Sequence, residues 1–275
     1  ELHGRVGVDL ERRYEQRLEA VYEQLAYHYV RSGERGKAFL YCEKAGDKAK
    51  GLYANRGAIE HYSRAIELTD SLAQRVSPYH RRGQIWELIG NYDSAIADFQ
   101  QMQKLARRTE DRRMQGEAFH GLSSVYEKKG DYALSTKMAQ EAVQLGREGD
   151  AREVVAKGLI ILGIVASNQG DYARARGFYT ESLRIRRELG DKSGMATSLN
   201  GLGEIARHQG AYQEAKQLYT ESLQLARDLG NRWGIADSLN NLAIIARRQG
   251  AYQEARRLYA ESLQIEREIG NKRGI

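Results

Sequence analysis

Few side chains in this 275-residue sequence stand in the patterns that catalysis or cofactor binding requires. A phosphate-binding loop needs Gly-x-x-x-x-Gly-Lys followed by serine or threonine, and the sequence contains none. Gly201-x-Gly203-x-x-Ala206 is similar to a dinucleotide fingerprint, but it lies inside a predicted helix with no strand before it, which favours helix packing. Zinc motifs of the Cys-x-x-Cys or His-Glu-x-x-His type are absent as well. We therefore predict no enzymatic activity, no cofactor and no metal.

The residues that most often act as nucleophiles or metal ligands are isolated. The six histidines are scattered over separate predicted helices, and none has a cysteine nearby or a second histidine one turn away. Surface or groove positions explain them better than ligation does. A nucleophilic Cys42 would need a positioned base, so we expect a small buried helix residue instead. A single cysteine excludes an intramolecular disulfide and suits a reducing compartment, so we expect a cytoplasmic protein.

The charge pattern bears on nucleic-acid and membrane partners. The net charge of +6 is compatible with nucleic-acid binding, but most positive residues alternate with acidic ones, as in Arg184–Glu188. Such mixing is typical of solvated helix faces. No apolar run is long enough to cross a membrane, and no signal-peptide pattern is present. We expect no membrane contact and rank nucleic acid below protein as a partner.

The strongest signal is a glycine-x-tyrosine motif that recurs every 40 residues. A fixed period of this size indicates an array of stacked repeats. Each motif follows one helical pattern and opens another, and glycine suits the left-handed residue that ends a helix. The five copies are Gly90-Asn91-Tyr92, Gly130-Asp131-Tyr132, Gly170-Asp171-Tyr172, Gly210-Ala211-Tyr212 and Gly250-Ala251-Tyr252.

One repeat, Ala196–Ile235, shows the unit that the motif divides. Leu199, Leu202 and Ala206 form an apolar stripe on the first helix, so this helix buries one face. The second helix carries tyrosines at two recurring positions, one of them Tyr219, which we interpret as packing residues with a polar tip. The pattern predicts an all-α fold of repeated helix hairpins.

These residues resemble the tetratricopeptide repeat. Its pattern has a small residue after a leucine in the first (A) helix, then glycine-x-tyrosine, then small residues in the second (B) helix. The residues that match this pattern are Leu202-Gly203, Gly210-Ala211-Tyr212, Ala215 and Ser222. Here the unit spans 40 residues, as in Pins-type scaffolds, and Arg82 stands where the pattern has leucine. The resemblance implies a right-handed superhelical α-solenoid of antiparallel helix hairpins, with five repeats over residues 76–275, that acts as a protein-binding scaffold.

Residues 1–75 follow the same pattern with irregular spacing, and we expect a helix from about Gly36 to Tyr53 to serve two hairpins. This region resembles the segment between the ATPase core and the repeat array of bacterial signal-transduction ATPases of the STAND type, some of them linked to nucleotide cyclases. The stretches that carry this resemblance are Leu25–Tyr29, Gly46–Ala49, Leu52–Asn55 and Ala58–Tyr62. It implies that the chain is the regulatory sensor region of a larger bacterial protein, with a last helix truncated at Arg273-Gly274-Ile275.

The resemblance also implies where a partner binds, because A helices line the concave surface of tetratricopeptide arrays. Isoleucines there would form apolar pockets, and amide and guanidinium groups would hold an extended acidic peptide. The alternative is that the isoleucines pack against the adjacent repeat and the arginines are merely solvated. Counting back from each motif predicts these exposed groove residues: Glu117, His120, Ser124, Lys157, Ile160, Ile164, Asn168, Asn200, Glu204, Arg207, Asn240, Ile244, Arg247 and Arg248. The same count also selects Thr197 and Asp237.

Two other functions remain open. The near-identical stretches Gln209–Ile235 and Gln249–Ile275 would support self-association of a purely structural module, which a monomer independent of concentration in sedimentation would contradict. Nucleic-acid binding through the basic surface predicts a steep loss of affinity with salt.

Overall fold

The computed structural model describes residues 1–270, where every regular element is a helix and no strand occurs. The predicted all-α hairpin fold is therefore confirmed. The predicted truncation near Arg273 lies outside the described residues. The chain divides into two compact units, which meet in the sequence at Gly149 and Asp150.

Unit 1, Glu1–Gly149, begins with four helices and a short 3-10 segment and continues with regular hairpins. As expected, α3 packs against both α2 and α4. The hairpins α5/α6 and α7/α8 follow. The elements are α1 Leu2–Arg13, the 3-10 segment Glu15–Val21, α2 Tyr22–Ser32, α3 Arg35–Gly51, α4 Asn55–Leu68, α5 Leu72–Leu88, α6 Tyr92–Arg108, α7 Arg112–Lys128 and α8 Tyr132–Glu148.

Unit 2, Asp150–Ile275, contains three hairpins within its described part. We call the first helix of each hairpin from α5 onward an A helix and the second a B helix. Neighbouring A helices contact each other, α9 with α11 and α11 with α13. The helices are α9 Arg152–Asn168, α10 Tyr172–Leu189, α11 Lys192–His208, α12 Tyr212–Asp228, α13 Arg232–Arg248 and α14 Tyr252–Glu268.

The turn between A and B helices has the backbone that its sequence predicts. Gly210 has a φ of +77°, a left-handed value that a residue with a Cβ rarely adopts, and the four other motif glycines match it. The residue after each motif glycine is the N-cap of the B helix, which begins at the tyrosine. Asp171 accepts a hydrogen bond from the Arg174 amide, whereas Ala211 offers no side-chain cap to α12. The motif glycine therefore ends the A helix in each repeat, but only some repeats have a residue after it whose side chain caps the B helix.

The Gly201-x-Gly203 pattern is a packing motif, as predicted. A Cβ on Gly201 would lie 2.6 Å from the ring of Tyr179, and one on Gly203 would lie 2.7 Å from the ring of Tyr219. Both tyrosine rings are buried. The two glycines therefore allow two B helices, α10 and α12, to approach α11 closely.

One hairpin of unit 1 contains a buried ion pair where the others are apolar. Arg82 on α5 donates to the two carboxylate oxygens of Asp98 on α6, from Nε at 2.8 Å and from Nη2 at 2.7 Å. Its Nη1 also donates to Ser63 Oγ on α4 at 2.7 Å. Burial raises the pKa of Asp98, and the Arg82 guanidinium opposes that shift. The later B helices place Met138, Phe178, Leu218 and Leu258 at the position of Asp98.

Candidate functional site

In unit 1 the predicted groove residues are more enclosed than the repeat pattern suggests. Glu117 is only 5% exposed, so the expectation of an exposed side chain is wrong. It lies on α7, which packs against both α6 and α8 and also contacts α5. His120 and Ser124 are half-buried, and Ser124 Oγ donates to Glu87 Oε1 at 2.6 Å. Polar residues on this face therefore contact each other across neighbouring A helices.

In unit 2 the predicted apolar pockets are partly filled by the protein itself. Ile160 is 7% exposed and lies in one apolar cluster with Leu199 and Leu202 of α11, so its predicted exposure is also wrong. Ile164 packs half-buried against the same cluster. Packing against the adjacent repeat, the alternative that the sequence left open, accounts for both side chains because α9 and α11 are in contact.

The other predicted residues of α9 and α11 are polar and accessible to different degrees. Lys157 Nζ lies 2.8 Å from Glu153 Oε1 within α9, and Asn168 is exposed. On α11, Glu204 is exposed and lies 3.7 Å from the half-buried Arg207 guanidinium. Asn200 is half-buried, and its Nδ2 donates to Asp237 Oδ2 of α13 at 2.8 Å.

Two arginines in the last turn of the A helix α13 differ in their partners from the cations of the B helices α10 and α12. Arg247 and Arg248 are exposed and form no ion pair within residues 1–270, and Asn240 and Ile244 beside them are half-buried. By contrast, every lysine and arginine of the B helices α10 and α12 has an acidic partner. These pairs are Arg174–Asp171, Arg176–Glu214, Arg184–Glu188, Arg186–Asp191, Arg187–Glu221, Lys216–Glu254 and Arg227–Glu261.

A pocket of about 210 Å³ opens on the A helices of unit 2, between the first turns of α11 and α13 and the end of α12. Asn200 and Asp237 line it together with Thr197 and with Trp233, which is 60% exposed. Burial, followed by the nearby carboxylates of Glu204 and Glu266, raises the pKa of Asp237.

Trp233 is the pocket residue that the sequence analysis missed, because counting back from each motif selects only positions of the family pattern. A signal was present in the alignment of the repeats. The earlier A helices place Arg113, Glu153 and Ser193 at this position, so a large aromatic residue there is an exception.

The remaining reactive residues behave mostly as expected. Cys42 is buried, and burial raises the pKa of its thiol to about 11, so it is an inert helix residue. His3 and His28 are not isolated, because their Nδ1 atoms lie 2.9 Å apart. Even so, the described part of the chain holds no group of three or more potential metal ligands. Among the helices of residues 1–270, none combines the length and apolar character that a membrane span requires.

The sequence matches two family models that share one description. Tetratricopeptide repeat models match residues 154–228 and 235–271, which together include most of unit 2. These two stretches therefore carry tetratricopeptide repeats, in agreement with the hairpins and turn glycines of unit 2. No curated protein matches the sequence.

Solved structures share the fold at low sequence identity. BtubC from P. vanneervenii is 16% identical with a TM-score of 0.63, over 80% of this chain and 91% of that one. The apo form of RapI is 13% identical with a TM-score of 0.69, over 92% and 98%. A Rap protein complexed with Competence and Sporulation Factor is 12% identical with a TM-score of 0.67, over 94% and 83%. At these identities the likeness establishes the fold alone.

Proposed function

We propose that the chain is a protein- or peptide-binding scaffold and that its partner binds to the A helices α11 and α13. The observation that carries this proposal is the difference between the last turn of α13 and the B helices α10 and α12. Every lysine and arginine of α10 and α12 forms an ion pair with a carboxylate, whereas Arg247 and Arg248 have no acidic partner within the described residues. Exposed guanidinium groups are strong donors to carboxylates, so the partner segment is acidic near them.

Two further observations support a partner of this kind. Repeat arrays commonly present an extended surface formed by equivalent positions of successive units, which suits an extended chain. In addition, a Rap protein that shares this fold was crystallised with Competence and Sporulation Factor.

Selection of peptides tests the proposal directly. A phage library of random twelve-residue peptides is panned against the 275-residue chain and against the charge-reversed variant R247E/R248E. We expect the wild type to enrich peptides that contain Asp or Glu at a fixed position, and the variant to lose that enrichment. A matched control, R256E/R257E, reverses two exposed arginines that also form no ion pair within residues 1–270 but lie on the B helix α14, outside the proposed surface. It should leave the selection unchanged. Absence of any enriched peptide, or the same peptides from the charge-reversed variant, would contradict the proposal.

We further propose that the scaffold is the regulatory region of a larger bacterial signalling ATPase, in which partner binding changes how the repeats pack on catalytic domains. The support is the resemblance of residues 1–75 to the segment that follows the ATPase core in that class. The gene sequence upstream of Glu1 tests it. A Gly-x-x-x-x-Gly-Lys-(Ser/Thr) motif there is expected, and an upstream region without one would refute the assignment.

A nucleic-acid partner is less well supported. Seven of the basic residues on α10 and α12 are neutralised by neighbouring carboxylates. An electrostatic footprint for phosphates requires unpaired cations along one surface.

A further inference from the structure

We propose that the pocket between α11, α12 and α13 binds the basic side chain of a lysine or arginine in the partner peptide. This inference rests on the proposed peptide-binding function and adds a second, oppositely charged contact to it. The pocket residues that carry it are Asp237, Asn200 and Trp233. No basic residue lines the pocket.

Asp237 supplies the negative charge. Its carboxylate accepts a hydrogen bond from Asn200 Nδ2 and forms no salt bridge with any residue from 1 to 270. The charged groups that act on it are two more carboxylates, Glu204 and Glu266. A half-buried carboxylate among like charges is costly, and a cation supplied by a ligand removes that cost.

Asn200 adds to the negative potential. Its Oδ1 atom is buried and has no hydrogen-bond partner among the described residues. A buried acceptor that lacks a donor is unfavourable, so a ligand that donates a hydrogen bond to Asn200 Oδ1 is favoured. Both Asn200 and Asp237 therefore favour a ligand group that donates hydrogen bonds and carries positive charge.

Trp233 selects the shape of the ligand. Trp233 is 60% exposed at the pocket, so more than half of its surface is not covered by the protein. An indole ring attracts a cation over its face and also covers the aliphatic stem of a long basic side chain. Lysine and arginine have both features, whereas an acidic or purely apolar side chain lacks the charge that Asp237 needs.

The two charged contacts set a spacing in the ligand. Asp237 and Arg247 lie ten residues apart on α13, which is about 15 Å along a helix. An extended peptide covers that distance in about four or five residues. We therefore expect a basic residue and an acidic residue separated by about that number of positions.

The peptide selection described above separates this inference from the proposed function. Panning with the wild type should give peptides that contain a fixed Lys or Arg in addition to the acidic position. Panning with Asp237→Asn should lose the basic position and keep the acidic one. Enriched peptides without a fixed basic residue would refute the pocket assignment while leaving the proposed function intact, whereas no enrichment at all would refute both.

A binding cycle with one selected peptide quantifies the contact. Replacing its arginine by neutral citrulline, or its lysine by norleucine, should weaken wild-type binding about tenfold in calorimetry and should change binding to Asp237→Asn little. Asp228→Asn, an exposed carboxylate on α12 outside the pocket, is the matched control and should behave as wild type. Trp233→Ala removes an exposed ring and should reduce the difference between the two peptides even if Asp237→Asn fails to fold. Equal weakening in wild type and Asp237→Asn would overturn the proposal.

Discussion

The α5/α6 hairpin and the α11/α12 hairpin fill the same interior positions with opposite chemistry. In the first, Arg82 and Asp98 form a hydrogen-bonded ion pair with little solvent exposure. In the second, Leu202 and Leu218 belong to one apolar cluster. This pair of positions therefore accepts either a polar or an apolar pair, provided that both members change together.

The two hairpins share a close contact between a ring and a glycine, and a turn at a left-handed glycine. Phe99 packs its ring against Gly83, as Tyr219 does against Gly203, with Cβ positions that would lie 2.9 Å and 2.7 Å from the rings. Both A helices end at a left-handed glycine. The close approach of ring and glycine and the turn geometry therefore define the unit, and the interior pair is free to vary.

Removing one member of the Arg82–Asp98 pair should have the largest effect on stability. Asp98→Leu removes the carboxylate from the largely buried Arg82 guanidinium, whose one remaining hydrogen bond is the one to Ser63 Oγ. We therefore expect the free energy of unfolding of unit 1 to fall by about 3–5 kcal/mol. The double variant R82L/D98L restores the apolar pair of the other hairpins and should be near the wild-type stability. Urea denaturation followed by Trp86 fluorescence, in a Trp233→Phe background, reports on unit 1 because Trp86 packs against its apolar cluster. A double variant as unstable as Asp98→Leu would show that the two hairpins are not interchangeable.

Adding a Cβ where a tyrosine ring contacts a glycine should have the next largest effect on stability. Gly201→Ala forces a Cβ to within 2.6 Å of the Tyr179 ring, and we expect a loss of about 1–3 kcal/mol. Gly177→Ala is the matched control, because Gly177 lies within α10 with no atom near its Cβ position; it should stabilise by about 0.5–1 kcal/mol. Hydrogen exchange of the α10 and α11 amides measures the change in stability that each substitution causes. Equal effects of the two alanines would mean that helix propensity, rather than packing, governs these positions.

Adding a missing helix cap should have the smallest effect. Ala211 offers no side chain to cap α12, whereas Asp171 caps the equivalent α10. Ala211→Asp should stabilise α12 by about 1 kcal/mol, measured as slower hydrogen exchange in its first turns, and Asp171→Ala should have the opposite effect on α10. Unchanged exchange in both variants would show that the turn glycine alone fixes these helix starts.

The regular features of the fold could be predicted from one sequence because they depend on local chemistry. The turn at Gly210, the packing role of Gly201 and Gly203, and the buried state of Cys42 all follow from residue type and period. The Arg82–Asp98 pair could also have been found, since both residues depart from the repeat pattern 16 positions apart.

The surface of the A helices was predicted less well, for a physical reason. Counting positions within one helix identifies the side that faces away from its hairpin partner, but adjacent A helices cover part of that side. Ile160 is buried in this way against α11, and Ser124 is partly enclosed by its bond to Glu87. Such contacts form between two adjacent repeats, so the residue pattern of a single repeat does not predict them.

The most direct test of the account is the surface that a bound peptide covers. With a peptide enriched by the wild-type chain, amide chemical-shift changes should concentrate on the A helices α11 and α13, around Asp237 and Arg247. The B helices α10 and α12, whose cations are already paired, should show small changes. Shifts concentrated on the B helices instead would contradict the claim that unit 2 binds its partner through its A helices.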